Sequence, residues 1–253
     1  MDGTVTLNVE AGIAEITLRR PQKLNAITPA MTVEIGRICR AVDADADIRA
    51  VLVTGEGERA FCVGTDLNAL ASYDSLWAYR NRADYSGLFR SLRKPSVSAL
   101  HGWVLGGGAE IALSTDMRVA DTTTRIGFPE VKNGWVGGGA ASQLLPRLVG
   151  YGQAMRLQLM GEPVSAEEAL RIGLVEDLVP AGEGVARARE ICARLATLRP
   201  LAVEAVKASV RMALSAPLEA GIHYENEMTT LCFAEGRHLD GIDAFKARKE
   251  GST

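Results

Sequence analysis

The segment 101-HGWVLGGGAE-110 decides how this chain folds, because it places three consecutive glycines and a carboxylate directly behind an apolar run. The run from Pro95 to Leu100 predicts a buried strand, and the glycines predict the start of a helix over Ala109 to Leu113. Glycines let a backbone approach a ligand closely, and the first N–H groups of a helix lack an intrahelical acceptor. Such groups stabilise negative charge, and Glu110 stands beside them as a candidate acid–base group for enolate chemistry. The alternative is tight strand-to-helix packing, with Glu110 serving only the helix dipole.

Length and composition limit the classes of protein that fit. The chain has 253 residues, of which 47% are hydrophobic, so one large domain or a domain with an appendage is expected. The net charge of −3 implies no basic face, and nucleic acids and anionic membranes are therefore poor partners. We expect no N-terminal signal segment, and no apolar run reaches the length of a membrane span. The cysteines are scattered and the histidines lack metal-ligand spacing, which predicts no metal and a reducing, cytoplasmic compartment. These residues are Cys39, Cys62, Cys192 and Cys232, with His101, His223 and His238.

Hydrophobic periodicity predicts alternating strands and helices followed by an all-helical end. Val5 to Val9 and Ile13 to Leu18 alternate as a hairpin, and Pro29 to Val42 has helical spacing after a capping Thr28. Ser75 to Leu92 is predicted to form one long helix. From about Ala140 helical patterns dominate, and Pro200 separates two of them. We therefore expect an α/β core over residues 1–199 and a helical C-terminal region over 200–253. The apolar residues of that region would cover the core of their own subunit or bury against a partner subunit, and amphipathic helices more often cover their own core.

Three segments carry chemistry-bearing residues. The first is the turn Gly64-Thr65-Asp66-Leu67, and the second is Gly106 to Glu110. The third begins at Gly127-Phe128-Pro129-Glu130-Val131 and includes Gly137-Gly138-Gly139. The chain between Glu110 and Glu130 is long enough to return a second carboxylate toward the first. A surface acid after a proline is the alternative for Glu130.

The order of these motifs resembles the crotonase family, which is the enoyl-CoA hydratase/isomerase superfamily. The resemblance covers nearly the whole chain and rests on seven segments and one aspartate, in order. They are Arg20-Pro21-Gln22-Lys23-Leu24-Asn25-Ala26, Val53-Thr54-Gly55, Phe61 to Leu67, Gly106 to Glu110, Asp116, Pro129-Glu130-Val131, Leu145 to Gly150 and Gly173 to Glu176. It implies an α/β spiral of repeated β-β-α units with a helical C-terminal region used in trimer formation. It also implies an acyl-CoA thioester substrate and a homotrimer or a dimer of trimers.

The resemblance implies roles for five site residues. The backbone N–H groups of Thr65 and Gly107 would bind the thioester oxygen as an oxyanion hole. Glu110 would act mainly on the water and Glu130 mainly on the proton, because hydration needs both a base and a proton source. Gly138 would orient the water through its N–H.

Further residues are expected to contact the substrate or its coenzyme A portion. These are Lys23, Gly64, Asp66, Trp135, Phe245 and Lys246. Asp66 also has the position of a backbone cap. No cofactor is expected, since coenzyme A enters as part of the substrate. Gly137 replaces a usual proline, and Asn133 and Trp135 replace usual aliphatic residues, so the acyl pocket is expected to differ from that of typical relatives.

The predicted function is an enoyl-CoA hydratase that adds water across the double bond of a 2-enoyl-CoA. The alternatives among enzymes are a double-bond isomerase, a thioesterase and a carbon–carbon lyase. A non-catalytic or RNA-binding module is the alternative from another class, which the acidic charge disfavours. A dinucleotide-binding dehydrogenase would need Gly-x-Gly-x-x-Gly and a distal acid, and the glycine segment lacks that spacing.

Overall fold

The computed structural model describes residues 3–236 and contains two sheets in its first part. The ten strands are β1 (Thr4–Glu10), β2 (Ile13–Arg19), β3 (Ala50–Gly55), β4 (Ala60–Cys62), β5 (Ser96–Leu100), β6 (Trp103–Leu105), β7 (Met117–Asp121), β8 (Arg125–Gly127), β9 (Val164–Ser165) and β10 (Asp177–Val179). The larger sheet has the order β1-β2-β3-β5-β7-β10, and the smaller has the order β4-β6-β8-β9.

Helices follow or connect these strands. They are α1 (Pro29–Ala44), α2 (Leu67–Ala71), α3 (Leu76–Arg80), α4 (Tyr85–Arg90), α5 (Gly107–Ser114), α6 (Ala141–Val149), α7 (Tyr151–Met160), α8 (Ala166–Arg171), α9 (Gly184–Ala196), α10 (Pro200–Met212) and α11 (Leu218–Ala234). Two 3₁₀ helices, Pro21–Lys23 and Pro129–Asn133, complete the described elements. No helix within residues 3–236 is long and apolar enough to cross a membrane.

In each of the pairs β3–β4, β5–β6 and β7–β8, the first strand belongs to the larger sheet and the second to the smaller one. β3, β5 and β7 pair in parallel in the larger sheet, while β4, β6 and β8 pair in parallel in the smaller one. Helices follow the β3–β4 and β5–β6 pairs, and a 3₁₀ helix follows β7–β8. Each turn of chain therefore adds one strand to each sheet, which is the predicted spiral of β-β-α units.

The position of β3 and β5 in the core explains why their sequences are continuous apolar runs. Every residue of β3 and of β5 is buried, as expected for parallel strands covered on both faces. The predicted hairpin is present as the antiparallel pair β1–β2. Thr28 caps α1 as predicted, because its side chain accepts a hydrogen bond from the N–H of Met31.

One predicted helix is wrong. Ser75 to Leu92 forms two short helices, α3 and α4, rather than one long helix. Asn81 ends α3, and its side-chain amide donates to the carbonyl of Trp77 at 2.7 Å. A side chain that satisfies the helix end in this way stops the helix, and α4 starts afresh after Asp84.

Contacts divide the chain into two compact units, Met1–Thr197 and Leu198–Thr253. The first unit holds both sheets, and the second contains α10 and α11, which pack on each other. The division lies close to the predicted limit at residue 199. The roles predicted for the two parts, a site-bearing core and an assembly region, stay predictions.

Candidate active site

A cleft of about 240 Å³ lies in the first unit where the three motif segments meet. Its walls come from the turn after β4, the chain around α3 and α4, the start of α5, and residues 129–139. The lining residues used below are Gly64, Thr65, Arg82, Tyr85, Gly107, Glu110, Glu130, Trp135 and Gly138. The fold therefore brings together segments that are far apart in sequence.

Glu110 lies in the first turn of α5, and only 4% of its surface is exposed. Its Oε1 accepts hydrogen bonds from the N–H of Gly139 at 2.8 Å and of Ala141 at 3.2 Å. Burial raises the pKa of Glu110, and these two N–H groups oppose that rise. Glu110 is thus a buried carboxyl group whose charged form has fixed hydrogen-bond donors.

Glu130 follows Pro129 in the 3₁₀ helix and is half-buried. Burial raises its pKa, and the nearby charge of Glu110 raises it further. The Oε1 atoms of both glutamates lie within 3.5 Å of the point that a Cβ on Gly137 would occupy. The two carboxyl groups therefore converge on one part of the cleft.

Three glycines make this convergence possible. A Cβ on Gly139 would lie 2.5 Å from Oε2 of Glu110, and a Cβ on Gly106 would lie 3.0 Å from Oε1 of Glu130. Gly106 also has a φ of +53°, which disfavours any other residue. The glycine-rich stretches are required because backbone occupies the space directly beside both carboxylates.

The turn after β4 meets the start of α5 at glycines. A Cβ on Gly64 would lie 2.8 Å from the nitrogen of Gly107, so only glycine fits there. Within residues 3–236, neither the N–H of Thr65 nor that of Gly107 has an acceptor. Gly107 is the first residue of α5, where unpaired N–H groups are expected.

Tyr85 is a cleft residue that sequence reasoning missed. Its hydroxyl lies 2.8 Å from Oγ1 of Thr65, and it would lie 1.8 Å from a Cβ on Gly107. Burial raises the pKa of Tyr85, so the phenol stays neutral. The sequence predicts one helix over residues 75–92. A continuous helix gives no reason to expect Tyr85 to contact the glycines of the cleft.

Ser86 and Ala141 were also missed, and Gly139 was named only as part of a glycine-rich stretch. Ser86 is buried, and its hydroxyl has no hydrogen-bond partner among the described residues. The glycine run 137–139 is typical of a close backbone approach. That it approaches Glu110 depends on the tertiary fold and has no local signal in the sequence.

The structure gathers most of the predicted site residues but not all of them. Gly64, Trp135 and Gly138 line the cleft with the two glutamates. Lys23 is exposed and does not line it. Phe245 and Lys246 lie outside the described residues.

Asp66 has a structural role in this fold. It caps α2 by accepting from the N–H of Asn68, and it pairs with Arg20 at 2.6 Å. The hydrogen bond from Arg20 lowers the pKa of Asp66. Like Lys23, Asp66 does not line the cleft, and the predicted contact of both with substrate stays a prediction.

The two-sheet spiral, with a cleft in which two carboxyl groups converge, defines an α/β protein with a candidate acid–base site. The sequence model of the enoyl-CoA hydratase/isomerase family matches residues 8–252, and the chain belongs to that family.

Curated relatives agree with this assignment. The chain is 36% identical to the (E)-benzylidenesuccinyl-CoA hydratase of Thauera aromatica, over 97% of this chain and 96% of that protein. It is 32% identical to the short-chain-enoyl-CoA hydratase of Clostridium acetobutylicum, over 97% and 95% of the two chains.

Solved structures show the same fold. The crystal structure of an enoyl-CoA hydratase from Bacillus anthracis superposes with a TM-score of 0.89 at 29% identity, covering 96% of each chain. These comparisons confirm the resemblance to the crotonase family and the predicted spiral fold. They also confirm the prediction of an enzyme of the enoyl-CoA hydratase type. These findings favour the enzyme over a non-catalytic or RNA-binding module.

Proposed function

We propose that the cleft hydrates a 2-enoyl-CoA thioester to the 3-hydroxyacyl-CoA. The observation that carries this proposal is the convergence of Glu110 and Glu130 beside Gly137. Addition of water across a conjugated double bond needs a base for the water and an acid for the α carbon, and two close carboxyl groups supply both.

The surroundings of the two glutamates support different roles for them. Glu110 accepts two backbone N–H groups, which stabilise its charged form and suit a base that takes a proton from water. Glu130 has its pKa raised by burial and by Glu110, which suits the group that donates a proton to the α carbon. The two groups titrate as a pair, so this division describes the reacting state.

The N–H groups of Thr65 and Gly107 are proposed to hold the thioester oxygen. Negative charge develops on that oxygen as water attacks the β carbon, and preorganised donors stabilise it. Support comes from the contact between Gly64 and Gly107 and from the absence of other acceptors for both N–H groups within residues 3–236. The N–H of Gly138, which also has no acceptor there, is proposed to orient the water.

The decisive experiment follows the conjugated absorbance of crotonyl-CoA. The wild-type protein is expected to remove that absorbance and form 3-hydroxybutyryl-CoA. A Glu130→Gln variant is expected to lose about 10²- to 10⁴-fold in kcat, the range for loss of a general acid or base. Unchanged absorbance with the wild type would overturn the proposal.

A Glu110→Gln variant separates hydration from double-bond isomerisation. An isomerase uses no water and can move a proton with one carboxylate, and Glu130 is the one proposed to exchange a proton with the α carbon. Glu110→Gln would therefore leave a 3-enoyl-CoA isomerase active. Free coenzyme A or a shortened acyl chain among the products would instead indicate a thioesterase or a carbon–carbon lyase. The names of the relatives differ in the acyl group, benzylidenesuccinyl in one and short-chain enoyl in another, so membership of the family leaves the acyl chain open.

Self-association as a homotrimer or a dimer of trimers is part of the proposal. Support comes from α11, which has no buried residue in the single chain and exposes apolar side chains. These include Leu218, Ile222, Leu231 and Phe233.

The proposed reaction requires no cofactor besides the coenzyme A that arrives with the substrate. We also propose a cytoplasmic location. The four cysteines are unpaired, as a reducing compartment would leave them.

A further inference from the structure

We propose that Arg82 selects substrates whose acyl chain carries a second, free carboxylate. The inference rests on the proposed function, because it names the class of enoyl thioester that the cleft prefers. It is based on an arginine that lines the cleft near Glu110 and has N–H donors without an acceptor among the described residues.

Arg82 lies beside the glycine run 137–139 that approaches Glu110. A Cβ on Gly138 would lie 2.3 Å from Nη2 of Arg82, so the guanidinium is directly against that glycine. The residues on either side, Gly137 and Gly139, are the ones in contact with Glu110. Arg82 is also close enough for its charge to act on the pKa of Glu110.

The position of Arg82 in the cleft indicates whether it would bind a carboxylate of the acyl chain or a phosphate of coenzyme A. The acyl chain and coenzyme A leave the thioester in opposite directions. Glu110 and Glu130 must face the α and β carbons, so a cation beside Gly137 to Gly139 lies on the acyl side. A phosphate of coenzyme A would lie at the other end of the substrate.

The guanidinium is held in place but not neutralised. Its Nη1 donates to the carbonyl of Tyr79 at 2.9 Å, and its carbon lies 4.1 Å from the centre of the Tyr79 ring. Among the residues that the structure describes, no carboxylate forms an ion pair with Arg82, whereas Arg90 pairs with Asp84 at 3.3 Å. Nε and Nη2 of Arg82 therefore remain available as donors.

A carboxylate is the ligand that best fits these donors. Nε and Nη2 form one edge of a planar fork that matches the two oxygens of a carboxylate. Arg82 is half-buried, where such a pair is less screened than on an open surface. A neutral alkyl chain would leave Nε and Nη2 of Arg82 without an acceptor.

The test compares two substrates of equal chain length, glutaconyl-CoA with a terminal carboxylate and 2-pentenoyl-CoA without one. The wild type is expected to have the higher kcat/KM for glutaconyl-CoA. Arg82→Gln is expected to lower the ratio of the two kcat/KM values by about 10- to 100-fold, the worth of a hydrogen-bonded charge pair. Arg82→Lys keeps the charge without the fork and should give an intermediate ratio.

Arg80→Gln is the matched control, because Arg80 is an exposed cation that lines the same cleft. It should leave the ratio unchanged, whereas an equal change in both variants would indicate general attraction of anions. An equal loss on both substrates in Arg82→Gln would assign Arg82 to the support of Glu110 instead. Either result overturns the proposal.

A binding measurement separates this inference from the hydratase proposal. Glutaryl-CoA and pentanoyl-CoA have no double bond, and calorimetry with them requires no turnover. Tighter binding of glutaryl-CoA that disappears in Arg82→Gln would support the selection even if no enoyl-CoA were hydrated. Hydration of 2-pentenoyl-CoA with equal binding of both saturated thioesters would keep the hydratase and overturn the selection.

Discussion

Glu110 is a buried carboxyl group whose pKa is raised, and this links its chemistry to the stability of the fold. A group with a raised pKa contributes stability below its unfolded pKa, and that contribution is lost as the pH rises through the folded value. As the pH rises through the folded pKa, ionisation of Glu110 therefore costs stability that a neutral side chain would not lose.

Replacing Glu110 by Gln tests that link. Oε1 of Gln still accepts from Gly139 and Ala141, but it carries no charge. We expect Glu110→Gln to lose hydration and to unfold at the same or a higher temperature than the wild type at pH 7. Its advantage should shrink toward pH 4, which thermal unfolding across that range would measure. A variant less stable at pH 7 than at pH 4, relative to the wild type, would contradict this.

Tyr85 makes a second prediction about a single residue. Its hydroxyl joins Oγ1 of Thr65 and lies against Gly107, so it fixes the two segments whose N–H groups are proposed to bind the thioester. Tyr85→Phe removes that link, and we expect kcat to fall about 10-fold, the worth of one hydrogen bond. The pH profile of kcat should not move, since the phenol of Tyr85 is neutral throughout.

Steady-state kinetics over pH 5 to 9 would measure both quantities. Tyr73→Phe is the control, because Tyr73 only packs edge-on against Tyr79 and does not line the cleft. A shifted pH optimum in Tyr85→Phe would assign the hydroxyl to proton transfer instead.

Among single residues, the sequence predicts the candidate catalytic residues better than it predicts the side chains that surround them in the cleft. Glu110 and Glu130 follow from motif order, and the structure places both in one cleft. Arg82 and Tyr85 do not follow, because helical periodicity concealed the break between α3 and α4. Arg82 lies in that break, and Tyr85 is the first residue of α4. The break depends on side-chain caps such as Asn81, whose effect on a helix is decided locally and is weak in a periodicity pattern.

Arg118 connects the elements that position α5. It lies in β7 with only 2% of its surface exposed, and its Nη1 donates to the carbonyls of Ala112 and Thr115 at the end of α5. Its Nε donates to the carbonyl of Leu174, and its Nη2 pairs with Glu176. One side chain therefore ties the helix that carries Glu110 to the chain before β10.

We expect Arg118→Met to lower the free energy of unfolding by about 3 kcal/mol, because several buried carbonyls lose their donor. Glu176→Gln is the matched control, because it removes the charge and one of the two oxygens that accept from Arg118, while every carbonyl contact of Arg118 remains. Glu176 is exposed, so this ion pair is screened by solvent. Glu176→Gln should cost about 1 kcal/mol or less. Urea unfolding curves would compare the two, and equal losses would show that the ion pair, not the carbonyl contacts, holds this junction.

For the whole chain, the sequence predicts the strands and helices better than it predicts how they associate. Parallel strands buried on both faces appear as apolar runs, so β3 and β5 follow directly from periodicity. The division of strands between two sheets has no local signal and came only from the resemblance. The partner of the apolar side chains on α11 is not encoded in α11 itself, because one amphipathic pattern serves a chain's own core or a second chain equally.

The predicted trimer is therefore tested on α11. Ile222 and Phe233 are 42% and 54% exposed in the single chain, and burial of such side chains against a neighbour would stabilise an assembly. Sedimentation velocity of the wild type should give a mass of three or six chains. Ile222→Ser with Phe233→Ser should shift that mass toward one chain, while Val33→Ser, at an exposed site on α1, should not. A wild type that sediments as a single chain at micromolar concentration would exclude the trimer and assign these side chains no role in assembly.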